Sequence, residues 1–327
     1  MIIAAFLMLA AGAAPVDDKP RVAFVTNGVA SFWTIAEKGA KAGGEEYDAE
    51  VSVHMPVSGV SDQKRMLEDL VVRQVDGIAV SPIDPVNQTD FLDRIARRTT
   101  LITHDSDAPD SDRLVYIGMD NYDAGRMCGK LIKKALPDGG EVFIFIGRLE
   151  QDNARRRRQG VIDELLDRSH DPTRYDPPGS TLKGEKYVVL GTLTDQFDRA
   201  KGKANAEDVL TRHPNVDAMV GLFAYNPPLI LEALKGGGQL GKVKVIAFDE
   251  ANETLQGIKD GTVSGTIVQN PYEYGRQSVR VLAAYDRGDK SVIPESGMID
   301  IPARTITVEN VDAFWADLKE KTGSGKE

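Results

Sequence analysis

From Arg21 onward, short apolar runs alternate with amphipathic stretches. RVAFVT has the β-branched and aromatic content of a strand, and Ser31 stands where it can cap a helix over FWTIAEKGAKAGGEEY. EVSVHM reads as the second strand, and Ser61 as the cap of SDQKRMLEDLVVRQ, whose apolar positions 66, 67, 70 and 71 have helical spacing. GIAVSP, the helix QTDFLDRIARR and the strand LITHD follow, and then a polar loop and a short apolar run, VYIG. The rhythm restarts with helix DAGRMCGKLIKKAL, strand EVFIFIG and helix NARRRRQGVIDELLDR. A Pro-containing excursion, SHDPTRYDPPGSTLKGEK, reads as a surface loop. YVVLGTL, DAMVGLF and KVKVIAFD are strands separated by helices DRAKGKANAEDVLTRH and PPLILEALKG. The last part holds a helix near NETLQGIKDG, strand SGTIVQ, helix YEYGRQSVRVLAAYDRG, short β runs between Met298 and Thr307, and helix VDAFWADLKEKT.

Continuous apolar strands alternating with amphipathic helices imply βαβ units and parallel sheets covered on both faces. At 327 residues the chain is long for one core and suits two α/β lobes. The closing strand and helix units exceed what the second lobe needs, so the chain is expected to recross a hinge. The predicted fold class is α/β, with two similar Rossmann-like lobes. The expected division is 20–119 with 269–300 as the N-terminal lobe, and 120–268 with 301–308 as the C-terminal lobe. Residues 309–327 form a final helix and polar tail.

Charge and cysteine content narrow the function. With 40 basic and 50 acidic residues the net charge is -10, which disfavours a general nucleic-acid binder. About twenty residues precede the first strand, too few for a helix-turn-helix domain. Cys128 is the sole cysteine, so intramolecular disulfides and Cys-based metal sites are excluded, and its helical setting suggests a buried thiol. The opening MIIAAFLMLAAGAAP has signal-peptide length, and Ala11-Gly12-Ala13 fits a small-residue cleavage site. No Lys or Arg precedes that run. Residues 1–19 are thus expected to direct secretion, leaving a soluble periplasmic protein.

In open parallel sheets ligands bind outside the carboxyl ends of the strands. The residues just after the strands are Asn27 with Phe32 and Trp33, then Ser81, Asp84 and Asn87, then Asp105. In the second half they are Arg148 and the Arg155–Arg158 run, Phe197 and Asp198, Tyr225 and Asn226, Asp249, and Gln269 with Asn270. Carboxylates, amides, arginines and aromatic rings without a nucleophile suit a neutral polyhydroxylated ligand. Hydroxyls donate to carboxylates and accept from guanidinium groups, and rings cover the C–H faces of a sugar. Taken singly, Asp105 and Asp249 are also compatible with helix caps, Asn226 with an N-cap before Pro, Phe32 and Trp33 with core positions, and the Arg run with a solvated face.

The order of these motifs resembles the ribose/galactose type of periplasmic sugar-binding protein, the type I periplasmic binding proteins, from Arg21 to about Thr307. The resemblance implies ligand contacts at Phe32, Trp33, Asp105, Arg157 (three residues before Gly160), Phe197, Asn226, Asp249 and Gln269. It also implies a monomeric receptor, without cofactor or enzymatic activity, that closes on a pentose or hexose and delivers it to an ABC transporter permease and its ATPase. The family's ribose binders carry an Asn where this chain has Ala30, an Arg where it has Ser106, and a polar residue in place of Pro227-Pro228. A ligand other than ribose is therefore open. A sugar sensor feeding a signalling system is the alternative role, and a sugar isomerase or hydrolase a more distant one.

GGGQLGK at 236–242 matches a Gly-rich nucleotide motif, but a helix precedes it and a strand follows, so it reads as a helix stop. The four histidines share no metal-ligand spacing, and no nucleophile elbow or HExxH occurs.

Overall fold

The structure, a computed structural model, describes residues 19–323. The apolar run read as a signal peptide and the end of the polar tail lie outside the described residues. Among those residues no helix is long and apolar enough to cross a membrane.

The first half alternates β1 (Arg21–Val25), α1 (Ser31–Glu46), β2 (Glu50–His54), α2 (Val60–Val72), β3 (Gly77–Val80), α3 (Pro85–Ala96), β4 (Thr100–His104) and β5 (Tyr116–Gly118). Then come α4 (Asn121–Ala135), β6 (Gly140–Ile146), α5 (Asp152–Leu165), β7 (Leu182–Lys183), β8 (Tyr187–Thr194), α6 (Arg199–Arg212) and β9 (Ala218–Gly221). The chain continues through α7 (Asn226–Gly236), β10 (Lys244–Phe248), α8 (Asn252–Lys259), β11 (Gly265–Val268) and α9 (Pro271–Asp286). It ends with β12 (Met298–Asp300), β13 (Arg304–Ile306) and α10 (Val311–Thr322).

These strands make two sheets, β12-β5-β4-β3-β1-β2 and β13-β11-β10-β9-β6-β8-β7. Every pairing in the first sheet is parallel, and in the second only the edge strands β7 and β13 run antiparallel. The central strands are buried along their whole length because helices cover both faces, which is why they read as unbroken apolar runs. The chain passes between the sheets after β5, after β11 and after β12. α9 follows the second passage and packs on α1 and the first sheet.

Two helix pairs approach unusually closely, and glycines permit it. A Cβ on Gly39 would collide with the carbonyl of Tyr272, and one on Gly275 with that of Ala36, where α1 meets α9. In the second lobe, a Cβ on Gly160 would strike the Tyr122 carbonyl and one on Gly125 the Arg157 carbonyl. This crossing of α4 and α5 fixes the depth of Arg157.

Some local expectations need correction. Ser31 and Ser61 cap nothing: they lie inside the first turns of α1 and α2, after Ala30 and Gly59. At α2 the left-handed Gly59 (φ 75°) turns the chain, and Asp62 takes the Val57 and Ser58 N–H groups. The Arg run is not uniformly solvated, since Arg157 and Arg158 are buried while Arg155 and Arg156 pair with Asp152 near the surface. Gly-rich 236–242 ends α7, with Gly238 and Gly241 in the left-handed region.

Candidate functional site

Asp105 and Asp249 end β4 of the first sheet and β10 of the second. Both are nearly fully buried and both adopt left-handed backbone (φ 58° and 66°). Non-glycine residues rarely accept that conformation, and it turns each side chain out of the strand direction. Neighbouring strands hold the turns: Asp105 N–H donates to Ile117 O and Asp249 N–H to Ile267 O. Neither Asp therefore serves as a helix cap.

The two carboxylates are differently supported. Asp105 Oδ2 accepts from Ser81 Oγ (3.0 Å), Asn27 Nδ2 (3.3 Å) and Asn153 Nδ2 (3.1 Å). Asn153 belongs to α5, so this last bond joins the second lobe to an acid of the first. Asp249 Oδ1 accepts from Gln269 Nε2 (2.9 Å), and Gln269 Oε1 accepts from the Tyr274 hydroxyl of α9 (3.2 Å). Gln269 thus links the second-lobe acid to a helix packed on the first sheet, at a passage between sheets.

Arg157 is fully buried, yet among the described residues it makes no ion pair. Its Nη1 donates to Leu222 O (2.8 Å), and Nη2 and Nε donate to Asn121 Oδ1 (2.9 and 3.3 Å). The guanidinium lies 3.8 Å from the Phe248 ring centre and 5.5 Å from that of Phe223. Asn121 in turn donates to the Tyr116 hydroxyl (3.3 Å), which donates to Asp105 O (2.9 Å). A chain of hydrogen bonds therefore connects the buried guanidinium to the backbone of the first-lobe acid, through the first passage between lobes.

Burial pushes the Asp105 carboxyl up to about 7, with the positive charge of Arg157 opposing the rise and Asp249 adding to it. Asp249 is likewise raised by burial, against the pull of Arg157. Both acids therefore lie within the field of the one guanidinium. Desolvation is costly for the ionised acids, and polar groups of a ligand can offset it.

The remaining aromatic and amide candidates divide between direct and indirect positions. Phe197, partly exposed, stacks on Phe223 at 5.7 Å, and the Arg148 guanidinium sits 5.0 Å from its ring centre. Asn226 is buried at the start of α7, where its Oδ1 accepts from Phe223 N–H (3.1 Å) and its Nδ2 donates to Asp195 Oδ2 (2.8 Å). Phe32 and Trp33 are both buried and meet edge to face at 4.8 Å. Trp33 donates Nε1–H to Asn27 Oδ1 (3.2 Å), so it reaches Asp105 through Asn27. His104 is part of the core, stacked on Phe24 at 4.0 Å, and burial lowers its pKa to about 3, so it stays neutral.

Asn121, Asn153 and Asp195, which make the bonds given above, were not among the sequence candidates, whereas Asn27 and Ser81 were, from their place directly after β1 and β3. Three residues stand out for side-chain atoms buried without hydrogen-bond partners among the described residues: Ser106 Oγ, both amide atoms of Gln151, and Nε of the sequence candidate Arg148. Ser106 follows Asp105, and Gln151 lies two residues before Asn153, so they flank the bond between the lobes. An unpaired buried polar atom costs about 1–3 kcal/mol, which a hydroxylated ligand would relieve.

Known proteins share this architecture. Residues 22–290 match the family model for the periplasmic binding protein domain. A D-ribose/D-allose-binding protein of Pseudomonas aeruginosa is 25% identical over 319 residues, 92% of this chain and 93% of that protein. A ribose import binding protein of Salmonella typhimurium is 28% identical over 231 residues, 68% of this chain and 70% of its own length. Among solved structures, an ABC transporter solute-binding protein of Burkholderia graminis in complex with D-arabinose is 30% identical with a TM-score of 0.79, covering 89% of this chain and 96% of that one. One from Bacillus halodurans with bound myo-inositol is similar in fold, with a TM-score of 0.80 at 21% identity, covering 93% of this chain and 99% of that one. The chain belongs to the periplasmic binding protein family, in the type I architecture of two parallel-rich α/β lobes.

Proposed function

We propose that this chain is an extracytoplasmic receptor that closes on one monosaccharide and delivers it to an ABC transporter permease and its ATPase. The observation that carries this reading is a pair of buried carboxylates, Asp105 and Asp249, brought from opposite sheets into the field of one buried guanidinium, Arg157. Sugar hydroxyls donate to such acids and accept from the guanidinium, and no nucleophile is needed. The names of relatives that bind ribose, allose and arabinose support a neutral sugar.

The lobes in this reading are 20–119 with 269–300 and 120–268 with 301–308, and the protein works as a periplasmic monomer without catalytic turnover. Asp105, Arg157, Asn226, Asp249 and Gln269 bond the sugar's polar edge, while Phe32 and Phe197 cover its faces. Trp33 holds Asn27 in place. Ser106, Gln151 and Arg148 offer further partners, and Ser106 in particular shifts the first-lobe pattern away from an Arg-based contact. Closure is a hinge motion at the three passages between sheets, with contacts from both lobes stabilising the closed form.

Thermal unfolding of ligand-stripped protein against pentoses, hexoses, polyols and amino acids tests the assignment. A ligand that binds only the native state adds about 2.7 kcal/mol at a hundredfold excess over Kd. A shift confined to one or two monosaccharides, lost in Asp105→Ala and Asp249→Ala, is expected. No shift with any sugar contradicts the reading.

A further inference from the structure

We propose that Asp195 is a positioning residue for sugar binding: its carboxylate sets which way round the Asn226 amide faces and anchors the turn that carries Phe197. The inference rests on the receptor reading above. Asp195 follows β8, is 1% exposed, and touches neither of the site's acids in the hydrogen-bond pattern described. Among the described residues, the bonds of its carboxylate go to Asn226, Phe197 and Tyr225 of the second lobe. Oδ2 accepts from Asn226 Nδ2 (2.8 Å), and Oδ1 accepts from Phe197 N–H (2.9 Å) and from the Tyr225 hydroxyl.

The two ends of an Asn amide are nearly isosteric, so its orientation is decided by its neighbours. Here they act together. Phe223 N–H is a donor facing one end of Asn226, and a carboxylate, acceptor-only when ionised, faces the other. Only Oδ1 toward Phe223 and Nδ2 toward Asp195 satisfies both. Asn226 then retains one N–H and one lone pair in a defined arrangement for a sugar hydroxyl.

Phe197 needs the second function of the carboxylate. Gln196 and Phe197 are consecutive non-glycine residues in the left-handed region (φ 59° and 65°), an arrangement a bulky side chain adopts only when its surroundings enforce it. Gln196 N–H is held by Gly147 O and Phe197 N–H by Asp195 Oδ1. One side chain therefore sets both the polar and the aromatic contact of this half of the site.

Asp195→Asn and Asp195→Ala test the proposal with and without sugar. The amide of Asp195→Asn has a single acceptor oxygen: turned toward Asn226 Nδ2 it sets an N–H against the Phe197 N–H, and turned toward Phe197 it sets an N–H against Asn226 Nδ2, so a bond at Asn226 or at Phe197 is lost either way. Calorimetric titration with D-ribose, D-allose and D-arabinose should show at least about tenfold weaker binding of whichever sugar the wild type takes, with an unfolding transition close to wild type. Without sugar, NMR should show displaced Asn226 side-chain amide signals in Asp195→Asn, and hydrogen exchange should show lost protection of the Phe197 amide in Asp195→Ala. Asp195→Glu keeps the charge but moves it by a methylene, and is the second variant if these do not fold; weakened binding is expected again. Wild-type affinity in a folded variant, unchanged Asn226 and Phe197 signals, or an unprotected Phe197 amide in the wild type itself would overturn the proposal. If the wild type binds no sugar of the wider panel while the signals change as described, the receptor reading fails and only the ordering of Asn226 and Phe197 by Asp195 stands.

Discussion

Replacing Asp105 by Asn should stabilise the empty protein at neutral and higher pH while weakening sugar binding. The carboxyl rises from 3.8 to about 7 because it is buried, despite Arg157 and the donors Ser81 and Asn153. Between those values the folded protein holds a proton that the unfolded chain has released. The native state then binds more protons, so stability falls as pH rises through this window and levels off above about pH 7. A shift of roughly three units corresponds to about 4 kcal/mol. The proposed hinge motion would hydrate the acid in an open form, so that figure is a ceiling. Asn keeps the shape and an acceptor for the three donors on Oδ2 but has no charge to desolvate. Asp249 and Glu250 are raised as well, so the diagnostic quantity is the difference between variant and wild type. Urea unfolding of both proteins between about pH 4 and pH 8 should show that difference moving in favour of Asp105→Asn by up to about 4 kcal/mol. Loss of charge-assisted bonds to two sugar hydroxyls should cost about 3 kcal/mol in binding, near a hundredfold in Kd. A stability difference independent of pH would refute the reasoning.

Arg157→Lys should destabilise the fold by about 3 kcal/mol and abolish binding, because a single ammonium cannot serve both Leu222 O and Asn121 or stack on Phe248; chemical denaturation and titration calorimetry read both effects. Gly160→Ala should cost roughly 1–3 kcal/mol and weaken binding as well, since its Cβ meets the Tyr122 carbonyl and forces α5, with Arg157, away from α4. Wild-type stability in that variant would contradict the proposed helix crossing. Asn153→Ala removes a bond between the lobes and should weaken sugar affinity by roughly 1 kcal/mol, about fivefold, with little change in unfolding free energy.

The two-sheet plan was legible because strands covered on both faces leave unbroken apolar runs, while their helices keep one polar face. Even the short strands β12 and β13 registered as β runs near residues 298–307. Asp105 and Asp249 were legible as strand-end acids, each directly after a strand, while singly that place also suited a cap or turn. What escaped depends on packing between elements distant in sequence. The resemblance singles out Arg157, but nothing in the pattern of the Arg run itself shows that the glycine-mediated approach of α4 buries Arg157 and Arg158. Asn153 precedes that run in a helix start and meets Asp105 across the cleft, a pairing no local pattern encodes. Ser61 was misread as a cap because the left-handed turn at Gly59 and the side chain of Asp62 organise that helix start instead. Asp195 carries no motif of its own, and its three bonds appear only once β8, β9 and α7 are in place.

The central claim is that one sugar is held between the lobes by groups from both. Small-angle scattering of stripped protein, alone and with a saturating concentration of the sugar that most raises its melting temperature, tests it most directly. The account predicts that the sugar reduces the radius of gyration of the wild type and that Asp105→Asn at the same sugar concentration shows a smaller reduction or none. A sugar that binds tightly to the wild type yet leaves its radius of gyration unchanged would place the ligand outside a closing cleft and contradict the account.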